Sequence, residues 1–178
     1  METTALRAGA LRIRTVPLDT LHPDPSNVRT HGPQNLESIV ASLKRFGQAE
    51  PLVVQQRTGR LIGGHGRLQA MKQLGWAACE IVELDLDDLQ ATSLAIALNR
   101  TAELAGWDEA NLAKLLQELK AEDALDGVGF SEDDLDALVQ QLREQEDHRW
   151  ADMLPDRRPW PEAIQPVEVL EQAPVGMV

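Results

Sequence analysis

This chain is short of the residues that cross-link, stack or anchor a protein. It holds one cysteine, Cys79, among 178 residues, so it has no internal disulfide and suits a reducing compartment. It has no tyrosine, and aromatics make up 3% of the sequence. Trp76, Trp107, Trp150 and Trp160 stand apart from one another, which argues against an aromatic platform for single-stranded nucleic acid. No run approaches the roughly 18 apolar residues of a membrane helix, so no membrane partner is expected. The opening "METTALRAGALRIR" lacks an apolar stretch followed by a small-residue cleavage site, and a cytoplasmic address is expected rather than export.

What is present is a hydrophobic content of 43%, enough for one compact domain plus an appendage. Charge is divided unequally. Residues 1–80 hold 10 Lys/Arg against 6 Asp/Glu, a net +4, whereas residues 81–178 hold 7 against 23, a net −16. The first half suits phosphates, and the second would repel a nucleic-acid backbone or simply keep the protein soluble.

Hydrophobic periodicity divides the chain in the same way. "LRIRTVPL" (11–18) alternates as a strand, and the prolines of "DTLHPDPSN" force a loop. Pro33 opens a helix whose Leu36, Ile39, Val40, Leu43 and Phe46 form one face, closed by Gly47. "PLVVQQ" and "RLIGG" read as strands joined by the turn "RTG". A helix over about 66–74 and the strand "AACEIVEL" follow. Three helices come next. The first carries apolar Leu89, Leu94, Ile96, Ala97 and Leu98. The second is capped by Asp108, with Leu112, Leu115, Leu116 and Leu119 turned inward; the third is capped by Ser131. Five of the ten prolines fall beyond Asp147. The expected organisation is a flexible 1–11, an α+β module over 12–85, an acidic all-helical extension over 86–147, and a proline-rich, disordered tail over 148–178.

The chemistry gathers in "LIGGHGRLQAMKQLGW" (61–76). A strand running into Gly63, Gly64 and Gly66 and then into a helix leaves backbone N–H groups pointing outward, backed by the positive end of the helix dipole. Arg67 adds a charge-assisted donor for a phosphate oxygen, and His65 another. The spacing fits neither the P-loop nor the dinucleotide fingerprint. The plainer alternative is a tight turn whose arginine pairs with a local acid. Met71 and Trp76 read as core residues.

Several blocks, taken in order, resemble a known family: "VPLDTLHPDPSNVR", "LESIVASLKRFGQAEPLVV" and "GRLIGGHGRLQAMKQLGW". They resemble the N-terminal domain of ParB partition proteins, in the ParB/sulfiredoxin superfamily, over about residues 12–100. The resemblance implies a small mixed sheet with helices and a triphosphate site, for CTP in partition proteins and for ATP in sulfiredoxins. Matched onto this chain, the phosphate box is Gly64, His65, Gly66 and Arg67. Asn27 and Arg29 match the Asn-Pro-Arg segment, with Val28 in place of proline. Residues 47–51, "GQAEP", fall where partition proteins approach the base; Gln48 joins the candidate nucleotide ligands, and Glu50 replaces a glutamine. Asn99 matches the second residue of a Glu-Asn pair that helps hold a metal–nucleotide complex.

Departures narrow the reading. His65 occupies the position of the sulfiredoxin cysteine, so sulfinic-acid reduction lacks its nucleophile. Leu98 replaces the glutamate of the Glu-Asn pair, and a leucine offers Mg²⁺ no oxygen. "SEDDLDALVQQL" is too acidic for a recognition helix in a DNA groove. The Gly-His-Gly-Arg box looks more like the short ParB-like proteins of phages and mobile elements, labelled "ParB-like nuclease", which often accompany DNA methyltransferases. A nuclease would need clustered metal ligands, but His22, His31 and His65 are scattered, "DLDD" (85–88) reads as a helix start, and His148 stands alone. Arg29, Arg57 and Arg60 suit DNA phosphates or solvated loops. Three classes stay open: a CTP- or ATP-binding switch of DNA metabolism, an adaptor for a DNA-processing protein, and a weak NTPase or nuclease. Direct DNA contact and a homodimer are left open too.

Overall fold

The structure, a computed structural model, describes residues 11–153. The expectations for residues 1–10 and for the chain from 154 onward lie outside the described residues. Ten elements follow one another: β1 (Ile13–Pro17), a 3-10 turn (Leu18–Thr20), α1 (Pro33–Phe46), β2 (Leu52–Gln55), β3 (Leu61–Gly63), α2 (His65–Gln73), β4 (Ala78–Leu84), α3 (Asp88–Glu103), α4 (Glu109–Ala121) and α5 (Glu132–Met153).

The four strands form one mixed sheet in the order β1-β4-β2-β3. β1 runs antiparallel to β4, with Ile13 opposite Val82, and β4 runs parallel to β2, with Leu52 opposite Ile81. β2 and β3 form an antiparallel hairpin whose register slips between Val53 and Val54. The parallel pairing requires a crossover, and β3 followed by α2 supplies it.

Side-chain alternation along the strands separates two cores. Leu52, Val54, Leu61 and Ile81 meet Leu43 of α1 and Leu68, Ala70 and Met71 of α2, with Trp76 packed alongside. The opposite face places Ile62 against Leu86 and Ala91, joined by Val53, Leu94 and Ala95. Helices therefore cover both faces. β1 is an edge strand, with Ile13 exposed and its Arg14 bonded to Glu83 at 2.6 Å.

Capping explains where the helices begin. Pro33 sits at the first helical position of α1, and Gly47 closes that helix with φ +70°. Asp87 caps α3 in a reciprocal box with Gln90, and Asp108 caps α4 by accepting from the Asn111 amide. Ser131 Oγ accepts from the Asp134 amide at 3.1 Å while Asp134 accepts from the Ser131 amide at 2.8 Å.

Two expectations are corrected, and α3 receives an orientation that the sequence left open. On α3 the inward residues are Ala91, Leu94 and Ala95, while Leu89, Ile96 and Leu98 are exposed. On α4, Ala113 and Leu116 are buried and Leu115 is exposed. α5 runs to Met153 rather than stopping at Asp147, because "HRWADM" contains no helix breaker and the next proline is Pro155. The α4–α5 connection docks on α1: Arg45 Nη1 donates to the carbonyls of Ala124, at 2.8 Å, and Asp126. Among the described residues no helix is long and apolar enough to cross a membrane.

Candidate nucleotide site

The β3–α2 junction is built by its glycines. Gly64, the N-cap of α2, has φ +94°, and no side chain caps the helix. Its left-handed backbone turns the chain sharply, and a Cβ there would lie 2.5 Å from Leu52 Cδ2. Gly66 is needed for a different reason: a Cβ would lie 2.8 Å from both Ile39 Cδ1 and His31 Cε1. These two glycines let α1 and the 21–31 loop press against the start of α2, whose first amides remain free of a cap.

A cleft of about 680 Å³ opens over this junction. Gly64, His65, Gly66 and Arg67 form its floor, Arg29 and His31 one wall, Glu50 and Pro51 another, and Leu98, Asn99 and Ala102 of α3 its roof. A smaller cavity of about 420 Å³ shares Arg29, His31 and His65 with the cleft and is lined also by Asn27 and Lys72.

Each candidate residue has a definite place. His65 Nε2 accepts a long hydrogen bond, 3.4 Å, from the Asp24 amide. Its pKa is held below the ordinary imidazole value chiefly by burial, with His31 adding to the effect and Asp24 opposing it. The His65 ring is therefore neutral at pH 7. Arg67 Nη1 donates to Glu50 Oε2 at 2.7 Å and to the Glu50 carbonyl at 3.2 Å. Arg29 pairs with the Glu103 carboxylate. Asn27 brackets the Arg29 backbone, accepting from its N–H at 3.2 Å and donating to its carbonyl at 2.8 Å. Asn27 thus orients the arginine and faces the smaller cavity. Asn99 lines the main cleft while its amide donates to the Ala95 carbonyl at 2.8 Å.

Gln48 is not brought to the cleft. Its side-chain amide clasps the Glu80 backbone of β4, with both bonds at 2.7 Å, and donates to the Glu50 carbonyl at 3.1 Å. It fixes the 48–50 segment instead. Met71 and Trp76 lie in the core as expected. Arg57 donates to the Leu86 carbonyl at 3.2 Å, and Arg60 lies between Asp24 and Asp88 at 3.8 and 3.7 Å, so both are tied within the fold.

Sequence reasoning missed Glu103 and Ala102. Both could have been found, since 98, 99, 102 and 103 share one face of a helix. A magnesium ion held by the protein does not fit this lining. Leu98 presents hydrocarbon, Glu50 is engaged by Arg67, and among the described residues no three metal-ligating side chains converge.

Residues 2–100 match the family model described as the ParB N-terminal domain. The chain is 34% identical over 74 residues to the ParB-like nuclease domain-containing protein YnaK of Escherichia coli strain K12, covering 42% of this chain and 84% of that protein. It is 28% identical over 111 residues to the nucleoid occlusion protein of Halalkalibacterium halodurans, covering 60% of this chain but only 39% of that one. In three dimensions it superposes on a C-terminally truncated chromosome-partitioning protein ParB from Caulobacter crescentus, complexed with CTP-γ-S. The TM-score is 0.64 at 21% identity, over 82% of this chain and 88% of that one. With a family match over more than half of its length and a shared fold, this chain belongs to the ParB N-terminal domain family.

Proposed function

We propose that the cleft binds the triphosphate of a nucleoside triphosphate, CTP or ATP, and that the protein acts as a nucleotide-responsive component of DNA metabolism such as partition, phage DNA modification or packaging. The observation that carries this reading is the convergence of uncapped α2 amides with Arg67 and Arg29 in one cleft under α3. Amides at a helix start and guanidinium groups are the two donors that oligophosphates select. The Caulobacter neighbour is a complex with a CTP analogue, which supports the same assignment on a shared fold. Arg29 and Asn99 complete the rim, and Asn27 steadies the Arg29 backbone from the side of the smaller cavity. The helical extension, 86–147 in this reading, responds to the bound nucleotide through α3, which roofs the cleft.

Calorimetric titration with each of the four ribonucleoside triphosphates tests the assignment and reads out base choice. Arg67→Ala is expected to weaken binding by at least about tenfold, the loss of one charge-assisted contact. Unaltered affinity would discard the pocket. A second reading, a non-catalytic adaptor for a DNA methyltransferase or another DNA-processing partner, is favoured by one observation: both cleft arginines already hold carboxylates. Four flat titrations would leave only the adaptor.

A further inference from the structure

We infer that the cleft is a self-occupied anion seat, in which Glu50 and Glu103 stand where a ligand's phosphates would bind and thereby set its affinity; the inference rests on the phosphate-binding reading above. The two arginines lining the cleft come from different segments, and each is bonded to a carboxylate from yet another segment of the chain. Arg67 of α2 holds Glu50, just ahead of β2, at 2.7 Å, and Arg29 of the 21–31 loop holds Glu103, the last residue of α3. Neither guanidinium waits unpaired for a ligand.

The pairs are built to exchange. Side-chain exposure is 75% at Glu50 and 41% at Glu103, so both carboxylates already touch water and need only rotate to leave. Pairs this exposed contribute little, whereas a guanidinium meets a phosphate through charge-assisted, bidentate bonds. The backbone under Glu50 stays fixed when the side chain swings out, because Gln48 holds the Glu50 carbonyl and the β4 backbone together. Glu103 keeps a cation after release, since its second oxygen lies 3.4 Å from Arg100. Among the described residues Glu50 pairs with no cation other than Arg67. A displaced Glu50 remains on the wall of the cleft, and its charge opposes the incoming phosphates.

The test is titration of CTP, ATP and inorganic tripolyphosphate, without divalent cations, into the wild type, Glu50→Gln, Glu103→Gln and the double variant. Glutamine preserves shape and removes charge. Glu50→Gln is expected to tighten binding about tenfold, equivalent to about 1.4 kcal/mol, and Glu103→Gln by a few-fold. The double variant should combine the two gains nearly multiplicatively, because each acid serves a different arginine. Raising the salt concentration should shrink the gains. Tighter binding cannot come from a misfolded variant. Equal or weaker binding by Glu50→Gln, with the wild type still binding nucleotide, would overturn the self-occupied seat and leave the phosphate reading intact. Absence of binding by all four proteins would overturn both.

Discussion

The sheet-centred module and the helices that follow it use apolar residues in opposite ways. Between Leu18 and Ile81, aliphatic side chains alternate into the larger of the two cores, with Leu52, Leu61, Met71 and Ala70 fully enclosed. Among the described residues beyond Glu103, the buried apolar ones are Ala113, Leu116 and Leu135, while Leu104, Trp107, Leu115 and Trp150 are exposed. Between the two regions stands α3, held to the sheet by small side chains, Ala91 and Ala95, together with Leu94. The candidate site spans this boundary. Its floor belongs to the well-packed part and its roof to a helix held by fewer methyl groups, so the floor is preorganised and the roof has the lower cost of local opening.

The comparison breaks most visibly at its strongest point. Leu52→Ala is expected to cost about 4 kcal/mol, since the side chain is fully buried beneath both α1 and α2. The measurement is the denaturant midpoint at unchanged m-value. Gly64→Ala comes next, at about 3 kcal/mol. Alanine is strained at φ +94°, and its methyl group would meet the same Leu52. Titration of that variant should also show nucleotide binding lost, because the α2 amides shift with the turn. Leu116→Ala, the deepest position in the extension, is expected to cost about 2 kcal/mol at the low end of the usual range. Its effect should appear as lost amide protection in α4 and α5 while the sheet amides keep theirs. Equal losses in sheet and helices would show one cooperative unit.

Much of this could be read from the residues, for reasons that also define what could not. Strong periodicity and local caps identified the strands, Pro33 at the start of α1, and Asp108 and Ser131 at later helix starts, because each signal lies within a few residues of its effect. The glycine box was legible likewise: Gly64 and Gly66 are required by turn and contact geometry at one place. The orientation of α3 and α4 was not. Both helices carry apolar residues around much of their circumference, and only the tertiary partner chooses Ala91 over Leu89, or Leu116 over Leu115. Partners distant in sequence were hidden for a related reason. Arg67 and Glu50 are 17 residues apart, and Arg29 and Glu103 are 74 apart. A charge in the sequence does not announce which opposite charge the fold delivers. Gln48 shows the converse error, since its position suggested a ligand while its amide serves β4.

The smallest expected effect tests on which side of the boundary the site's histidine is counted. Burial holds the His65 pKa below its ordinary value, so the folded chain refuses a proton that the unfolded chain accepts. Between about pH 6.5, the ordinary imidazole value, and the lower folded value, the unfolded state binds more protons. The stability that the neutral ring contributes is therefore complete above that window, is lost as pH falls through it, and changes no further below it. Asp24, through attraction, and His31, through repulsion, are the charged neighbours that modulate the window. His65→Asn should flatten this pH dependence. Hydrogen exchange at pH 7.5 and 5.5, expressed as protection factors, is the measurement. Wild-type β4 amides should lose more protection on acidification than those of the asparagine variant, whereas α4 amides should respond alike in both proteins. A matching response in α4 would mean that the helices beyond α3 open only when the sheet does, and the roof of the cleft would then be as fixed as its floor.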